Sequence, residues 1–198
     1  MSARFSLARS IRRRVAAGFG LIELVIVVAI LGILAALGVP SFRQSIHSNR
    51  VTTEANDLVS AINTARGEAT TRSRRVTACP STNGTSCNTT NWGAPAQWIV
   101  FTDYGVIGTV EPADTILRVW KPVDGGDLVT SSNAVNWISF DRTGTATTDN
   151  AVVNNTNTGL PALTLTLRPQ GCTSGAKNLR TVALQLVGRV STTTGACP

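Results

Sequence analysis

Apolar residues fill one unbroken stretch near the start of the chain and then become periodic. Residues 19–39 carry a single charge, Glu23. As a helix rising about 1.5 Å per residue, this run is about 31 Å long, enough to cross a bilayer core of about 30 Å. Beyond Pro40 the apolar positions thin out to Val51, Ala55, Leu58, Ile62, Ala65, Ala69 and Val76. Steps of four, three, four, three, four and seven residues mark a helix with one apolar face. Glu54, Asp57, Asn63, Arg66 and Glu68 take the opposite face. The pattern predicts one helix over about 19–74, bent near Gly38 and Pro40, whose second half lays its stripe on a globular head.

From Val76 onward the pattern changes to short runs of β-branched and aromatic residues between Gly, Asn, Asp and Pro clusters. Strands are expected at 76–79, 98–102, 116–120, 135–140, 163–168 and 181–187. Leu163, Leu165 and Leu167 alternate with Thr164, Thr166 and Arg168, as in a half-buried strand, and Val182, Leu184 and Leu186 alternate likewise. Residues 143–158 are rich in Thr and Asn, poor in apolar residues, and expected to form a mobile loop. The fold class is α+β, and about 120 residues of head suffice for one core. The organisation read from the sequence is 1–18 a basic leader, 19–39 a transmembrane helix, 40–75 an amphipathic helix and 76–198 a β-rich head.

Charge refines this division. The formal net charge is +7, but five of the eighteen basic residues (Arg4, Arg9, Arg12, Arg13, Arg14) precede the apolar run, leaving thirteen against eleven acids. Arginines beside a membrane span stay cytoplasmic, which places the head on the far side. Seven acids lie between Asp103 and Asp149. None follows Asp149, whereas Arg168, Lys177, Arg180 and Arg189 do. Such asymmetry marks a candidate anion-binding face; its plainer reading is a solvated surface. Arg72, Arg74 and Arg75 close the helix, where positive side chains suit the macrodipole without any ligand. Four cysteines, Cys79, Cys87, Cys172 and Cys197, fit an oxidising compartment. Of three possible pairings, Cys79–Cys87 with Cys172–Cys197 is favoured, since each pair flanks a polar loop. A zinc site is the rival, and its usual short ligand spacing is missing.

Glu23 is the informative exception in the apolar run. A carboxylate there costs up to about 2.5–3.5 kcal/mol, less near a helix end, and calls for a partner. Cleavage after Gly18 would free the amine of Phe19, a positive group within reach of a neighbouring chain's Glu23. A secretory signal has a shorter apolar core, with its cleavage site after that core, and a twin-arginine signal has more than Arg12-Arg13-Arg14. A plain single-span anchor is the strongest alternative.

The segment Gly18-Phe19-Gly20-Leu21-Ile22-Glu23, between basic leader and apolar run, resembles the prepilin leader of type IV pilins and type II secretion pseudopilins. The resemblance implies that a prepilin peptidase cuts after Gly18 and N-methylates Phe19. It also implies that Glu23 is the assembly carboxylate and that Pro40 is the helix-kinking proline. Gly20 departs from the usual Thr or Ser. The head motifs Arg75-Val76-Thr77-Ala78-Cys79-Pro80-Ser81, Trp98-Ile99-Val100-Phe101-Thr102-Asp103, Ile138-Ser139-Phe140-Asp141-Arg142-Thr143-Gly144 and Val187-Gly188-Arg189-Val190 are similar, in this order, to the GspH/FimT class.

That class implies a type IV pilin-like fold, a helix on an antiparallel sheet. It implies as partners the peptidase, other major and minor pilins and the bacterial inner membrane. The chain would cross that membrane once, with a cytoplasmic N-terminus and periplasmic head, before entering a filament or its tip. The function it implies is a minor pilin of the type IV pilus, with a minor pseudopilin of type II secretion as the alternative. FimT-like proteins include members that bind DNA through a late Gly-Arg-x-Arg motif. Here the stretch reads Gly188-Arg189-Val190-Ser191, with serine for the second arginine. Double-stranded DNA is thus a further candidate partner, at Arg168, Lys177, Arg180 and Arg189, because phosphate binding follows total local charge. No catalytic constellation is legible: the single histidine, His47, lies just past the apolar run, and no phosphate-cradling Gly motif follows a strand. No enzyme activity, cofactor or metal is expected.

Overall fold

A computed structural model describes residues 20–88, 92, 97–121, 128–149, 163–185 and 187–198. The chain divides into two compact units, Met1–Phe42 and Arg43–Pro198. One helix, α1 (Leu21–Arg72), contributes to both.

In the first unit α1 is apolar and exposed along its length, from Leu21 at 82 % to Val39 at 50 %. It is long and apolar enough to cross a membrane. Gly20 opens it, its carbonyl accepting from the N–H groups of Glu23 and Leu24 at 3.0 and 3.2 Å. The helix continues past Pro40 as one element.

In the second unit residues 43–72 of α1 lay their stripe on a β head. Val51, Ala55, Leu58, Ile62, Ala65 and Ala69 are all buried. The helix ends two residues before the expected Arg74, and its capping explains why. Ser73 takes a positive φ of 52°. Its N–H then bonds Thr70 O at 3.3 Å, and the Arg74 N–H bonds Ala69 O at 3.1 Å. These are the two bonds of a Schellman end, with serine in the place glycine usually takes.

Two antiparallel sheets follow. Sheet A runs in the order β3 (Ile116–Trp120), β2 (Gln97–Thr102), β1 (Val76–Ser81), β5 (Ile138–Phe140), β6 (Ala146–Thr148). Sheet B runs β4 (Leu128–Ser131), β7 (Leu163–Arg168), β8 (Leu179–Leu184), β9 (Val190–Gly195). Both share one core around the α1 stripe: Ala78, Val100, Ile138 and Phe140 from sheet A meet Leu165, Leu167, Val182 and Leu184 from sheet B. Burial of all six β1 residues shows that sheet A is covered on both faces at its central strand. Cys79, Ile99 and Phe101 form a smaller cluster away from the helix, with Cys87, Val110, Ile116 and Trp137 packed on it.

Three strands lie outside the predicted set: β4, β6 and β9. β6 falls inside the stretch expected to be a mobile loop, whose residues 150–158 lie outside the described ones. The strand expected at 135–140 begins only at Ile138, after a 3-10 turn over Ser132–Ala134. The one expected at 181–187 is Leu179–Leu184 instead, because Gly188 (φ 77°) builds a turn there in which its N–H bonds Gln185 O at 2.8 Å.

Candidate functional site

Glu23 lies in the first turn of α1 and is exposed, among Leu21, Ile22, Leu24 and Val25, which are exposed too. A carboxylate at a helix N-terminus is favoured by the macrodipole. Lipid offers such a carboxylate no partner. Gly18 and Phe19 lie outside the described residues, as does the side chain of Pro40.

The basic residues of the head do not form one patch. Arg168 ends β7, and Arg180 pairs with Leu167 across the β7–β8 ladder. Directly opposed residues share a face, so Arg180 lies on the face of the buried Leu167 while the exposed Arg168 lies on the other. The Arg180 guanidinium folds back onto the carbonyls of Lys177 and Leu179 at 3.4 and 3.3 Å. Lys177 is exposed in the preceding turn. Arg189 belongs to the β8–β9 turn at the opposite end of β8, roughly 16 Å away at about 3.3 Å per residue. Arg72, Arg74 and Arg75 are engaged within the head. Arg72 pairs with Glu68 at 2.6 Å, Arg74 lies 5.0 Å from the Tyr104 ring, and Arg75 approaches Asp103 at 3.8 Å.

Arg66 is a residue the periodicity misassigned. It is half-buried, and its Nη1 donates to Gly188 O at 3.3 Å. Gly144 (φ 79°) and Gly188 meet over this side chain. A Cβ on Gly188 would lie 2.6 Å from Arg66 Nε and 2.7 Å from Gly144 O. Arg66 thus holds together the β5–β6 turn, which carries Arg142, and the β8–β9 turn, which carries Arg189. Among the described residues, none of these three arginines is within ion-pair distance of a carboxylate. The nearest acid in sequence, Asp141, is occupied by its own turn: its Oδ1 accepts from Thr143 Oγ1 at 2.6 Å, Thr143 N–H at 2.8 Å and Thr145 N–H at 3.0 Å. Partial burial pushes the Asp141 carboxyl up, but hydrogen bonds from the Thr143 side chain and from the backbone of residues 143–145 outweigh it. The group is held below the usual carboxylate value.

Glu54 was also assigned to the polar face and is 3 % exposed. Its spacing was the available signal: it falls three residues after Val51 and four before Leu58, on the edge of the stripe. Asp103 is buried as well, accepting from Thr77 Oγ1 at 2.6 Å and Gly108 N–H at 2.9 Å, and it ties the loop after β2 to the centre of sheet A. Cys79 is bonded to Cys87 and Cys172 to Cys197, with Cα separations of 5.6 and 5.7 Å. Beside Cys87 a cleft of about 240 Å³ is bounded by Ile107, Asn136, Trp137 and Asp149. Its acid is spent on Asn136, whose N–H and Nδ2 donate to it at 3.0 and 2.8 Å.

Compared with known proteins, residues 54–188 match the family model of the type II transport protein GspH. The chain belongs to the GspH family. This GspH-family chain also matches, over residues 13–39, the prokaryotic N-terminal methylation motif. That motif implies processing by prepilin peptidase and assembly with other pilins. No curated protein matches it. Its fold is similar to the type IV minor pilin FimU of Pseudomonas aeruginosa in space group P21, at 18% identity and a TM-score of 0.52. The match covers 73% of this chain and 89% of that one. A second crystal form of FimU, in P65, matches at 18% identity over 72% and 91% of the two chains, with a TM-score of 0.49. The GspH-family chain therefore has the type IV pilin fold, a long N-terminal apolar helix packed on antiparallel sheets. Its family is one of structural pilins and pseudopilins, and its apolar helix fits membrane anchoring and filament assembly.

Proposed function

We propose that the chain is a minor pilin of the type IV pilus. Prepilin peptidase cleaves after Gly18 and methylates Phe19, and the Phe19 amine of one subunit pairs with Glu23 of another as the apolar helices pack. Until then the helix holds the subunit in the inner membrane with its head in the periplasm. The observation that carries this reading is the coincidence of the methylation motif with a helix whose first part, Leu21 to Val39, is apolar, exposed and acidic only in its first turn. Pro40 is assigned the role of the helix-kinking proline. Substituting Glu23→Ala leaves membrane insertion intact and abolishes incorporation. Fractionation and in-cell cross-linking to other pilins read the two apart, and normal incorporation of the variant would sink the mechanism.

The family model's own description favours a second reading, a minor pseudopilin of type II secretion; the likeness to FimU favours the pilus. Deletion separates them, since loss of twitching or piliation supports the first and loss of secreted enzymes the second. A contribution to DNA uptake belongs to the pilus reading. It draws its support from Arg189 beside Arg66 and Arg142, not from Arg168, Lys177 and Arg180 at the other end of β8. Binding of double-stranded DNA across a salt series, lost on Arg189→Ala and kept on Arg168→Ala, is the expected result.

A further inference from the structure

Sheet B ends in β9, whose outer edge takes part in none of the contacts described above. Its hydrogen-bonding phase follows from the turn before it. Gln185 N–H donates to Arg189 O at 2.9 Å where the β8–β9 ladder begins. Opposed residues of an antiparallel pair alternate between bonded and non-bonded. The register Ala183↔Ser191, Thr181↔Thr193, Leu179↔Gly195 therefore turns the backbone groups of Ser191, Thr193 and Gly195 toward β8. Those of Val190, Thr192 and Thr194 turn outward. Cys197 continues the same parity, its N–H reaching back to Ala176 O at 2.8 Å. Three N–H and three C=O groups thus line an edge that has no backbone partner among the described residues, and their complement is the backbone of another extended strand.

The other described edges are blunted. β6 has three residues, β4 has four, and β3 carries Arg118, lying 4.6 Å from the Trp120 ring. β9 has six residues, with neither charge nor proline, and so lacks the devices that keep edges apart. It is also fixed at both ends, by the turn that Arg66 clamps and by the Cys172–Cys197 bond. A fixed edge has little entropy left to lose on binding. The core stops short of it. Thr192 and Thr194 share a face with Val182 and Arg180 yet are exposed, so an added strand would extend the covered face as well as the ladder.

We propose that β9 receives an extended, uncharged strand of another pilin subunit, prolonging sheet B across the interface between two heads. The inference rests on the assembly reading above, which makes pilin subunits the neighbours of this head, while the edge chemistry specifies which part of them docks. The test places a photo-reactive phenylalanine derivative at Thr194 of the full chain in its host, with adducts mapped by mass spectrometry. The expected adduct is a β-strand peptide of a different pilin subunit. Its yield falls about tenfold with Thr192→Pro, which removes one outward N–H, and is kept with Thr192→Val. Thr192→Lys, which leaves the backbone intact, lowers it likewise. An adduct on a helix or loop, one on a second copy of this chain, or a yield indifferent to Thr192→Pro and Thr192→Lys overturns the proposal. The same photo-reactive residue at Ile30 reports assembly independently. Adducts from Ile30 with none from Thr194 overturn β9 pairing alone; none from either site overturns the assembly reading and, with it, β9 pairing.

Discussion

At the scale of single residues, the head depends on small groups in positions that larger ones cannot take. Gly188 combines a positive φ with contact on Arg66 and on the Gly144 carbonyl. Gly188→Ala should destabilise the head by about 1–3 kcal/mol, visible as a lowered Tm, because it adds backbone strain to a collision with backbone. Asp141 makes a pH-dependent contribution with a definite sign. Its carboxyl is depressed in the folded state, so the stability it supplies is fully present above its unfolded value of about 3.9. That stability is lost as pH falls through the lower folded value. The group is exposed and the effect small. Asp141→Asn should lower Tm at neutral pH and flatten the acid limb of a Tm-against-pH curve; an unchanged limb would show that the turn bonds do not matter.

Among the elements, the disulfides staple different things. Cys79–Cys87 closes a separation of 8 residues beside β1, and Cys172–Cys197 closes 25 and anchors the end of β9. Chain entropy assigns about 2.5 kcal/mol to the shorter loop and about 3.5 kcal/mol to the longer. Denaturant unfolding of the paired Cys→Ser variants should place the Cys172/Cys197 variant about 1 kcal/mol below the other. The Schellman end of α1 makes a further point about elements. Serine at 73 adopts the left-handed conformation because two carbonyls of the last turn need donors, a requirement stronger than the steric preference for glycine.

At the scale of the molecule, one stripe on α1 serves both sheets. Leu58 lies in the core where residues of sheets A and B meet. Leu58→Ala should cost about 2–5 kcal/mol and lower the stability of both sheets together. Near-ultraviolet circular dichroism follows Trp98 and Trp120 of sheet A, and amide exchange follows sheet B. Coincident transitions in detergent-held full chain are expected, and separate ones would mean two independent cores.

The sequence by itself determined what depends on local order. The apolar run, its acid, the stripe from Val51 to Ala69 and the alternating strands β7 and β8 are legible because periodicity and partitioning act residue by residue. The cysteine pairing was legible from the loops each pair flanks. What only tertiary structure decided was the fate of residues with weak local preference. β9 and β6 are Thr-rich and polar, and they become strands because a neighbouring ladder offers their backbone groups partners. Arg66 and Glu54 read as a solvated face and are drawn in by sheets that no helical period foretells. The basic residues after Asp149 are neighbours in sequence but are divided between two ends and two faces of sheet B. Strand register sets where a charge lies, and register is a property of pairing.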